Sequence, residues 1–254
     1  MGNSDSKIAN LCLPDDLAAQ SLPHRFTATH KASFSKITAL LSDPDHPDKP
    51  SFAITWPAGW YGSMIFHAGP TKDHPALAAA KTAGKLRLDF EVALPALPPT
   101  EQRTEILRYE SRRMREKWWF AMQIGTGPDA RVERFEWRRS HGAAVKGVAG
   151  GSGWGWKLVR MGEVGHGGEG LGGAGEGGSD GDDDGQTDGL TSDGKEVVAV
   201  WADAGLSLSR MGAFEFRGSG ATGDLGLLWA VMALVTCMGV WQLRQQRNEM
   251  AAVT

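Results

Sequence analysis

A run of nineteen uncharged residues near the end of the chain, 225–243, constrains the fold more than any other stretch. It reads LGLLWAVMALVTCMGVWQL and is followed by Arg244 and Arg247. At 1.5 Å per residue, a helix over this run would be roughly 28 Å long, close to the ~30 Å core of a bilayer. A helix that is apolar on every side must be covered on every side. The run therefore predicts either a membrane span or the central helix of a protein core.

The flanking residues favour the core helix. The nearest upstream charge is Asp224 and the basic residues follow the run, which reverses the positive-inside bias expected of a tail anchor. The upstream sequence also supplies amphipathic strands whose apolar faces need filling. We therefore predict a buried helix over 225–243. The alternative is a tail-anchored membrane protein with a transmembrane helix at 225–243 and a cytosolic β domain.

Alternating apolar residues upstream predict β-strands. In 85–94, Leu86, Leu88, Phe90, Val92 and Leu94 share one face and charged residues occupy the other. Residues 118–124 and 135–137 alternate on either side of a turn at 126–129, which predicts a hairpin. Further strands are predicted at 52–56, 63–67, 154–161, 196–202 and 212–217, whereas 104–117 fits a short helix or a strand with a turn. The sequence thus predicts a mainly β fold, with eight to twelve strands in a closed antiparallel barrel wrapped around the C-terminal helix.

Composition divides the chain into a domain with two tails. Residues 1–50 are predicted to be a partly disordered tail, with at most a short helix or strand near 34–41, and 248–254 form a second tail. Residues 51–247 are predicted to form one barrel domain. Within it, 162–194 contain fourteen glycines and nine acidic residues in thirty-three positions. Such a segment buries too little apolar area to offset its ordering entropy, so a disordered insert is predicted.

The charge distribution points to an anionic partner. The net charge is −3, and the insert holds nine acidic residues without Lys or Arg, so the rest of the chain carries +6. Basic residues recur opposite the apolar strand faces, and Lys85, Arg87, Arg134 and Arg138 are our candidates for binding lipid headgroups. Further basic residues lie at 108, 112, 113, 115 and 117, and glutamates at 101, 105, 110 and 116 could neutralise part of the patch. No specific nucleic acid partner is predicted.

Two residues are candidates for lipidation. Met1 to Ser6 fit M-G-x-x-x-[ST], so Gly2 is a candidate for N-myristoylation, and Cys12 could carry a palmitate. Cys12 and Cys237 form no metal-binding spacing, and no secretory signal precedes them. We expect a cytoplasmic protein that associates with membranes peripherally.

No motif in the chain predicts catalysis. GHGGEG at 165–170 fits G-x-G-x-x-G but lacks a βαβ context. The aspartates from Asp180 onward begin like an EF-hand loop, yet Thr191 occupies the twelfth position. No histidine lies in a zinc motif or beside a candidate nucleophile. We therefore predict no catalytic residues, no metal and no cofactor.

Several stretches together resemble a known superfamily. They are KWWFAMQIG (117–125), VERFEWRRSHG (132–142), GWGWKLVRM (153–161), VVAVWAD (197–203) and MGAFEFRGSGATGDLG (211–226), followed by the apolar run. In this order they resemble fungal proteins related to the Tubby C-terminal and LURP-one-like superfamily, over roughly 51–247. The resemblance implies a closed barrel around a hydrophobic helix. It also implies a non-enzymatic, membrane-proximal binding or adaptor module for anionic, phosphoinositide-like headgroups, with an unidentified protein partner as a further possibility. No residue matches the Tubby phosphoinositide site position by position.

Overall fold

The chain is described by a computed structural model. It covers residues 11–19, 21–33, 36–96, 101–112, 115–149, 153–164, 189–205, 207 and 209–253.

Twelve strands form one closed barrel in which every strand pairs antiparallel with its neighbours in the chain, and β1 pairs with β12 to close the sheet. The strands are β1 Arg25–Ser33, β2 Lys36–Ser42, β3 Pro50–Trp56, β4 Met64–His67, β5 Ala76–Ala83, β6 Asp89–Leu94, β7 Arg103–Arg112, β8 Arg115–Ile124, β9 Arg131–Ser140, β10 Gly155–Glu163, β11 Glu196–Asp203 and β12 Arg210–Phe216. Closure leaves no free sheet edge, which removes the unpaired backbone groups that an open sheet exposes.

A long helix fills the barrel, which confirms the predicted fold class. The helices are α1 Asp15–Ala19, α2 Ala143–Ala149, α3 Gly218–Thr222 and α4 Leu227–Val253. Every residue from 231 to 243 of α4 is buried. By length and composition, α4 is the one described helix that could cross a membrane, yet 78% of its apolar window is buried inside the protein. The observed helix starts two residues later than the predicted run and continues ten residues further, into the predicted C-terminal tail.

The contacts of α4 with the barrel wall are apolar, with a few polar pairs. The ring of Trp229 lies 5.5 Å from that of Phe135. Trp137 donates its indole N–H to Thr236 Oγ1 at 3.0 Å, and Trp56 donates to Gln242 Oε1 at 2.9 Å. Buried indole N–H groups need an acceptor, and α4 supplies one to each of these.

A glycine sets how closely α4 approaches β6. A Cβ added at Gly239 would lie 3.3 Å from the ring of Phe90. Since real Cβ contacts are rarely this tight, a side chain at 239 would push the helix away from the wall.

The prediction that residues 1–50 form a tail is wrong for 25–50. β1 and β2 belong to the barrel, and Phe26 and Leu41 are buried in its core. The alternation in these strands is weak because small residues such as Ala28 and Ala39 occupy inward positions. The barrel therefore begins at Arg25 rather than near residue 51.

The strand predicted over 85–94 begins only at Asp89. Residues 84–88 form a turn, in which Arg87 N–H donates to Gly84 O at 3.2 Å. Leu86 was predicted to be buried but is 80% exposed, whereas Phe90, Val92 and Leu94 are buried as predicted. The alternating pattern therefore continues beyond the strand into a hairpin turn.

The other predictions concern β5, β7 and the insert. Alanine-rich β5 was not predicted. The described residues of 104–117 belong to two paired strands, β7 and β8, rather than to a helix. The predicted hairpin is the β8–β9 pair, and β10 and β11 are paired as the strands flanking the insert.

Most of the predicted disordered insert, 165–188, lies outside the described residues. Its last part does not fit the prediction, because Gly189 to Gly194 form an ordered turn. Thr191 is buried, its N–H donates to Lys195 O at 2.8 Å, and its Oγ1 accepts from Lys195 N–H at 2.9 Å. Val197 N–H donates to Gly189 O at 2.8 Å. The turn therefore folds back on the start of β11, where Leu190 forms a bridge with Glu196.

Candidate functional site

The barrel has two chemically different ends. The helix-start pole is where α4 begins, and its described residues are 43–49, 68–75, 95–96, 101–102, 125–130, 189–195 and 217–226. The helix-end pole is where α4 leaves the barrel, and its described residues are 57–63, 84–89, 111–112, 115–116, 139–149, 153–154, 203–205, 207, 209–210 and 244–251. Antiparallel pairing of consecutive strands places alternate loops at opposite ends, so this division follows from the topology.

The helix-end pole is basic. Its described cationic residues are Lys85, Arg87, Arg112, Arg115, Arg139, Lys146, Arg210, Arg244 and Arg247, and its described acidic residues are Asp89, Glu116, Asp203 and Glu249. Nine cations against four acids give a formal charge of +5. Two of the acids form ion pairs with cations of the same pole: Arg247 contacts Glu116 at 2.7 Å, and Arg244 contacts Asp203.

The helix-start pole is acidic. Its described acidic residues are Asp43, Asp45, Asp48, Asp73, Glu101, Asp129, Asp193 and Asp224, and its described cations are Lys49, Lys72, Lys195 and Arg217. Segment 165–188, which connects β10 to β11 and lies outside the described residues, contains seven acidic residues without Lys or Arg. The two poles therefore differ in the sign of their charge.

Exposed apolar side chains accompany the cations at the helix-end pole. Leu86 is 80% exposed, Met250 54%, Tyr61 52% and Trp154 50%. The Arg139 guanidinium lies 5.0 Å from the ring centroid of Trp154. Basic and apolar groups at one surface match the layered chemistry of an anionic bilayer, which has phosphates above hydrocarbon.

The structure separates the four predicted headgroup residues into two pairs. Lys85 and Arg87 lie exposed in the β5–β6 turn at the helix-end pole. Arg134 and Arg138 lie on the outside of β9, and β7 and β8 separate them from β6. The single basic patch that the sequence predicted is therefore not formed.

Arg134 and Arg138 belong to an ion-pair network on the barrel wall. Both flank Glu136, which is 3% exposed and also contacts Lys117 at 3.2 Å. The Arg134–Glu136 distance is 2.8 Å, and Arg138 contacts both Glu136 and Asp193. Burial alone would raise the pKa of Glu136, but the three cations outweigh it and hold that pKa below its ordinary value. These arginines are therefore engaged in neutralising a buried carboxylate.

A second ion-pair network fixes α3 to the barrel wall. Arg160 contacts Glu133 at 2.5 Å and Glu196 at 3.3 Å. The hydrogen bond from Arg160, more than any other contact, lowers the pKa of Glu133, which is 2% exposed. Glu196 accepts hydrogen bonds from Ser219 N–H at 2.6 Å and Ser219 Oγ at 2.9 Å. These contacts hold α3 beside the point where α4 enters the barrel.

The lipidation candidates belong to the N-terminal segment. Gly2 lies outside the described residues. Cys12 is exposed, and its N–H donates to Ala76 O at 2.9 Å, at the first residue of β5. Leu11 packs on Ile65, Ala76 and Ala79 outside the barrel. Because β5 starts at the helix-start pole, Cys12 is held near the acidic end.

A small cavity of about 210 Å³ lies between α1, α3 and the start of α4. Leu22, Phe216 and Leu227 line it, and His24 is its titratable side chain. Within the described ranges, no three His, Cys, Asp or Glu side chains are grouped as metal ligands. Both glycine-rich motifs noted in the sequence begin in 165–188, outside the described residues.

Sequence reasoning missed the exposed apolar residues of the helix-end pole. Leu86 was assigned to the buried face, and Tyr61 was not singled out. The glycine at position 84 was the available signal in the sequence, because glycine favours turns. In the structure Gly84 has a φ of +77° and lies in the turn before Leu86. The charge of the pole could not be deduced, since its described cations come from five separate stretches of chain.

Comparison of the chain with protein-family models, curated proteins and solved structures gives no match. The class of protein is therefore defined by the fold itself, a closed twelve-stranded antiparallel barrel around a C-terminal apolar helix.

Proposed function

We propose that this protein is a non-enzymatic binding or adaptor module that associates peripherally with anionic phospholipid membranes through its helix-end pole. The observation that carries the proposal is the charge difference between the poles, with exposed apolar residues at the basic one. A cation near an anionic membrane surface contributes on the order of 1 kcal/mol to binding. The acidic pole would be repelled, so the charge distribution favours one orientation.

The wall arginines contribute little to this binding. Arg138 is only 16% exposed at its side chain and is held between Glu136 and Asp193. A phosphate would have to displace those carboxylates and leave Glu136 buried without its partners. Lys85 and Arg87 therefore remain headgroup candidates, whereas Arg134 and Arg138 serve the stability of the wall.

The charge difference between the two poles also affects which lipid anchor fits the proposed orientation. A single myristoyl chain anchors a protein only marginally, so Gly2 acylation needs a second signal. A palmitate on Cys12 would draw the acidic pole toward the membrane, against the charge. The basic pole avoids this conflict, and the ten residue steps from Gly2 to Cys12 can extend to at most about 33 Å.

The barrel around a hydrophobic helix also supports membership of the Tubby-like class that the sequence resembles. Membrane-proximal binding would follow by analogy with that class. The charge distribution supports the same function independently, because it depends only on the positions of side chains in this chain.

Vesicle flotation tests the proposal. The purified full chain should float with vesicles of phosphatidylcholine and phosphatidylserine but not with phosphatidylcholine alone. Binding should weaken as salt approaches 1 M, where the Debye length is ~3 Å. Adding a phosphoinositide to the vesicles tests whether that headgroup is preferred.

A matched pair of variants tests the orientation. Lys85→Glu with Arg87→Glu should reduce binding, whereas Lys49→Glu with Lys195→Glu, at the acidic pole, should not. Equal binding by all three proteins would refute the orientation. Membrane association that resists alkaline carbonate would instead favour the tail-anchored alternative, in which α4 leaves the barrel.

A further inference from the structure

Two neighbouring loops project apolar side chains from the helix-end pole. The β3–β4 loop, 57–63, exposes Tyr61, and the β5–β6 turn, 84–88, exposes Leu86. The loops are joined, because Arg87 Nη2 donates to Tyr61 O at 3.4 Å. Lys85 and Arg87 flank Leu86 directly, so basic and apolar groups share one tip.

The β3–β4 loop is held rigidly by α4. Trp60 packs between Trp56 and Trp241, with ring centroids 5.0 and 5.1 Å away. The side-chain amides of Gln242 and Gln246 both donate to Trp60 O, and Gln242 also donates to Gly62 O at 3.2 Å. Tyr61 is therefore exposed between two residues that are fixed to the core.

The β5–β6 turn is fixed as well. Arg87 has a φ of +52° and is the only non-glycine residue with positive φ in the described part of the chain. Its Nε donates to Thr82 Oγ1 at 3.1 Å. A non-glycine residue adopts this strained conformation only where the surroundings impose it, and such residues concentrate at functional sites.

We propose that Tyr61 and Leu86 form a wedge that inserts into the interfacial layer of an anionic bilayer while Lys85 and Arg87 bind lipid phosphates. This inference rests on the function proposed above and names the surface that performs it. Tyrosine is favoured at the membrane interface, and lysine and arginine extend apolar stems beneath charged ends. Because both loops are already ordered, insertion costs little conformational entropy.

A fluorophore at the tip tests insertion directly. In a Cys12→Ser background, Leu86→Cys is labelled with nitrobenzoxadiazole, and Leu190→Cys, exposed at the acidic pole, is the matched control. Cys237 should stay unlabelled, because it is buried and burial raises the pKa of its thiol well above its ordinary value. On phosphatidylserine vesicles, the label at 86 should shift to the blue and be quenched by spin-labelled lipid, whereas the label at 190 should not.

Binding measurements give the second test. Leu86→Ser and Tyr61→Ser should each lower the apparent vesicle affinity about tenfold, since affinity scales with the apolar area buried in the interface. Leu190→Ser should leave it unchanged. If the protein binds but the label at 86 remains in water, the wedge is wrong and the proposed function survives. If the unlabelled chain binds no anionic vesicle, both proposals fail.

Discussion

The two faces of β9 show how differently the inside and the outside of this barrel are stabilised. Inside, Phe135 and Trp137 are fully buried and pack against α4, nearly one hundred residues later in the chain. Outside, Arg134 and Arg138 bind Glu136 and residues of adjacent strands and turns. The inner face joins the barrel to its central helix, whereas the outer face joins neighbouring strands to one another.

This difference predicts where substitutions are tolerated. An inner residue loses its contacts with both wall and helix when it is changed, and water cannot replace them. An outer residue keeps water as an alternative partner unless it is buried like Glu136. Stability should therefore be most sensitive inside the barrel, and on the outside only at the buried carboxylates.

The largest effect is expected inside, for Ala233→Asp. Ala233 is fully buried on α4, and an unpaired carboxylate there costs several kcal/mol against a total stability of about 5–15 kcal/mol. The circular dichroism spectrum of this variant should be that of an unfolded domain. Ala251→Asp, on the exposed end of the same helix, is the control and should change stability by less than about 0.5 kcal/mol. A folded Ala233→Asp protein would show that the helix is not enclosed.

The next largest effect is expected outside, for Glu136→Gln. Removing this buried charge leaves Lys117, Arg134 and Arg138 without their shared partner, at a cost of about 2 kcal/mol in denaturant unfolding. Glu91→Gln is the control, because the Lys81–Glu91 pair is largely exposed and should cost no more than about 0.5 kcal/mol. Equal losses of stability in both variants would show that the burial of Glu136 does not strengthen its ion pairs.

The same carboxylates predict how stability depends on pH. The pKa values of Glu133 and Glu136 are lowered in the folded state, so their stabilisation is complete above the unfolded value of ~4.3. It is lost as the pH falls through the lowered pKa values. The melting temperature should drop below about pH 4, and less steeply in Glu136→Gln. An identical pH profile for both proteins would exclude this role of Glu136.

A smaller loss is expected for Thr236→Val, which removes one polar contact inside the barrel. Valine keeps the volume but leaves the buried N–H of Trp137 without an acceptor, at a cost of about 1–2 kcal/mol. Thr222→Val, at an exposed site, should have no measurable effect. No change in Thr236→Val would mean that the indole finds another acceptor.

The smallest effect is expected for replacement of 165–188 by a short Gly/Ser linker. The cost of closing a loop grows only slowly with its length, so stability should change by less than about 1 kcal/mol. Replacing 162–194 should cost more, because it removes the Thr191 turn and the Arg138–Asp193 pair. Equal melting temperatures for the two deletions would show that the ordered turn contributes nothing.

The inside of the barrel was largely predictable from the sequence, and the outside was not. Trp118, Phe120, Met122 and Ile124 revealed their strand because large apolar side chains alternate with polar ones. The pattern fails in β5, ALAAAKTA, where alanine occupies both faces. It also misleads at Leu86, because alternation persists into the turn.

The candidate site was harder to predict from the sequence because its residues come from separate loops. Lys85 and Arg87 were identified, but the prediction joined them to Arg134 and Arg138, which have buried carboxylate partners. Glu136 lies only two residues from each of these arginines in the sequence, but the sequence does not show that its carboxylate is buried. Tyr61 and Met250 show the same limit, since only the fold brings the β3–β4 loop and the end of α4 to one pole.

The position of α4 after all twelve strands has a consequence for biosynthesis. The strands leave the ribosome before the segment that fills their lumen, so the barrel cannot acquire its core while they are being made. Its inward-facing Trp and Phe side chains stay exposed until residues 227–243 emerge. Ribosome-bound chains that end before residue 227 should therefore bind a hydrophobic dye or a holding chaperone, and chains extended past α4 should release it. Folding of the barrel should therefore follow the synthesis of α4 rather than accompany that of the strands.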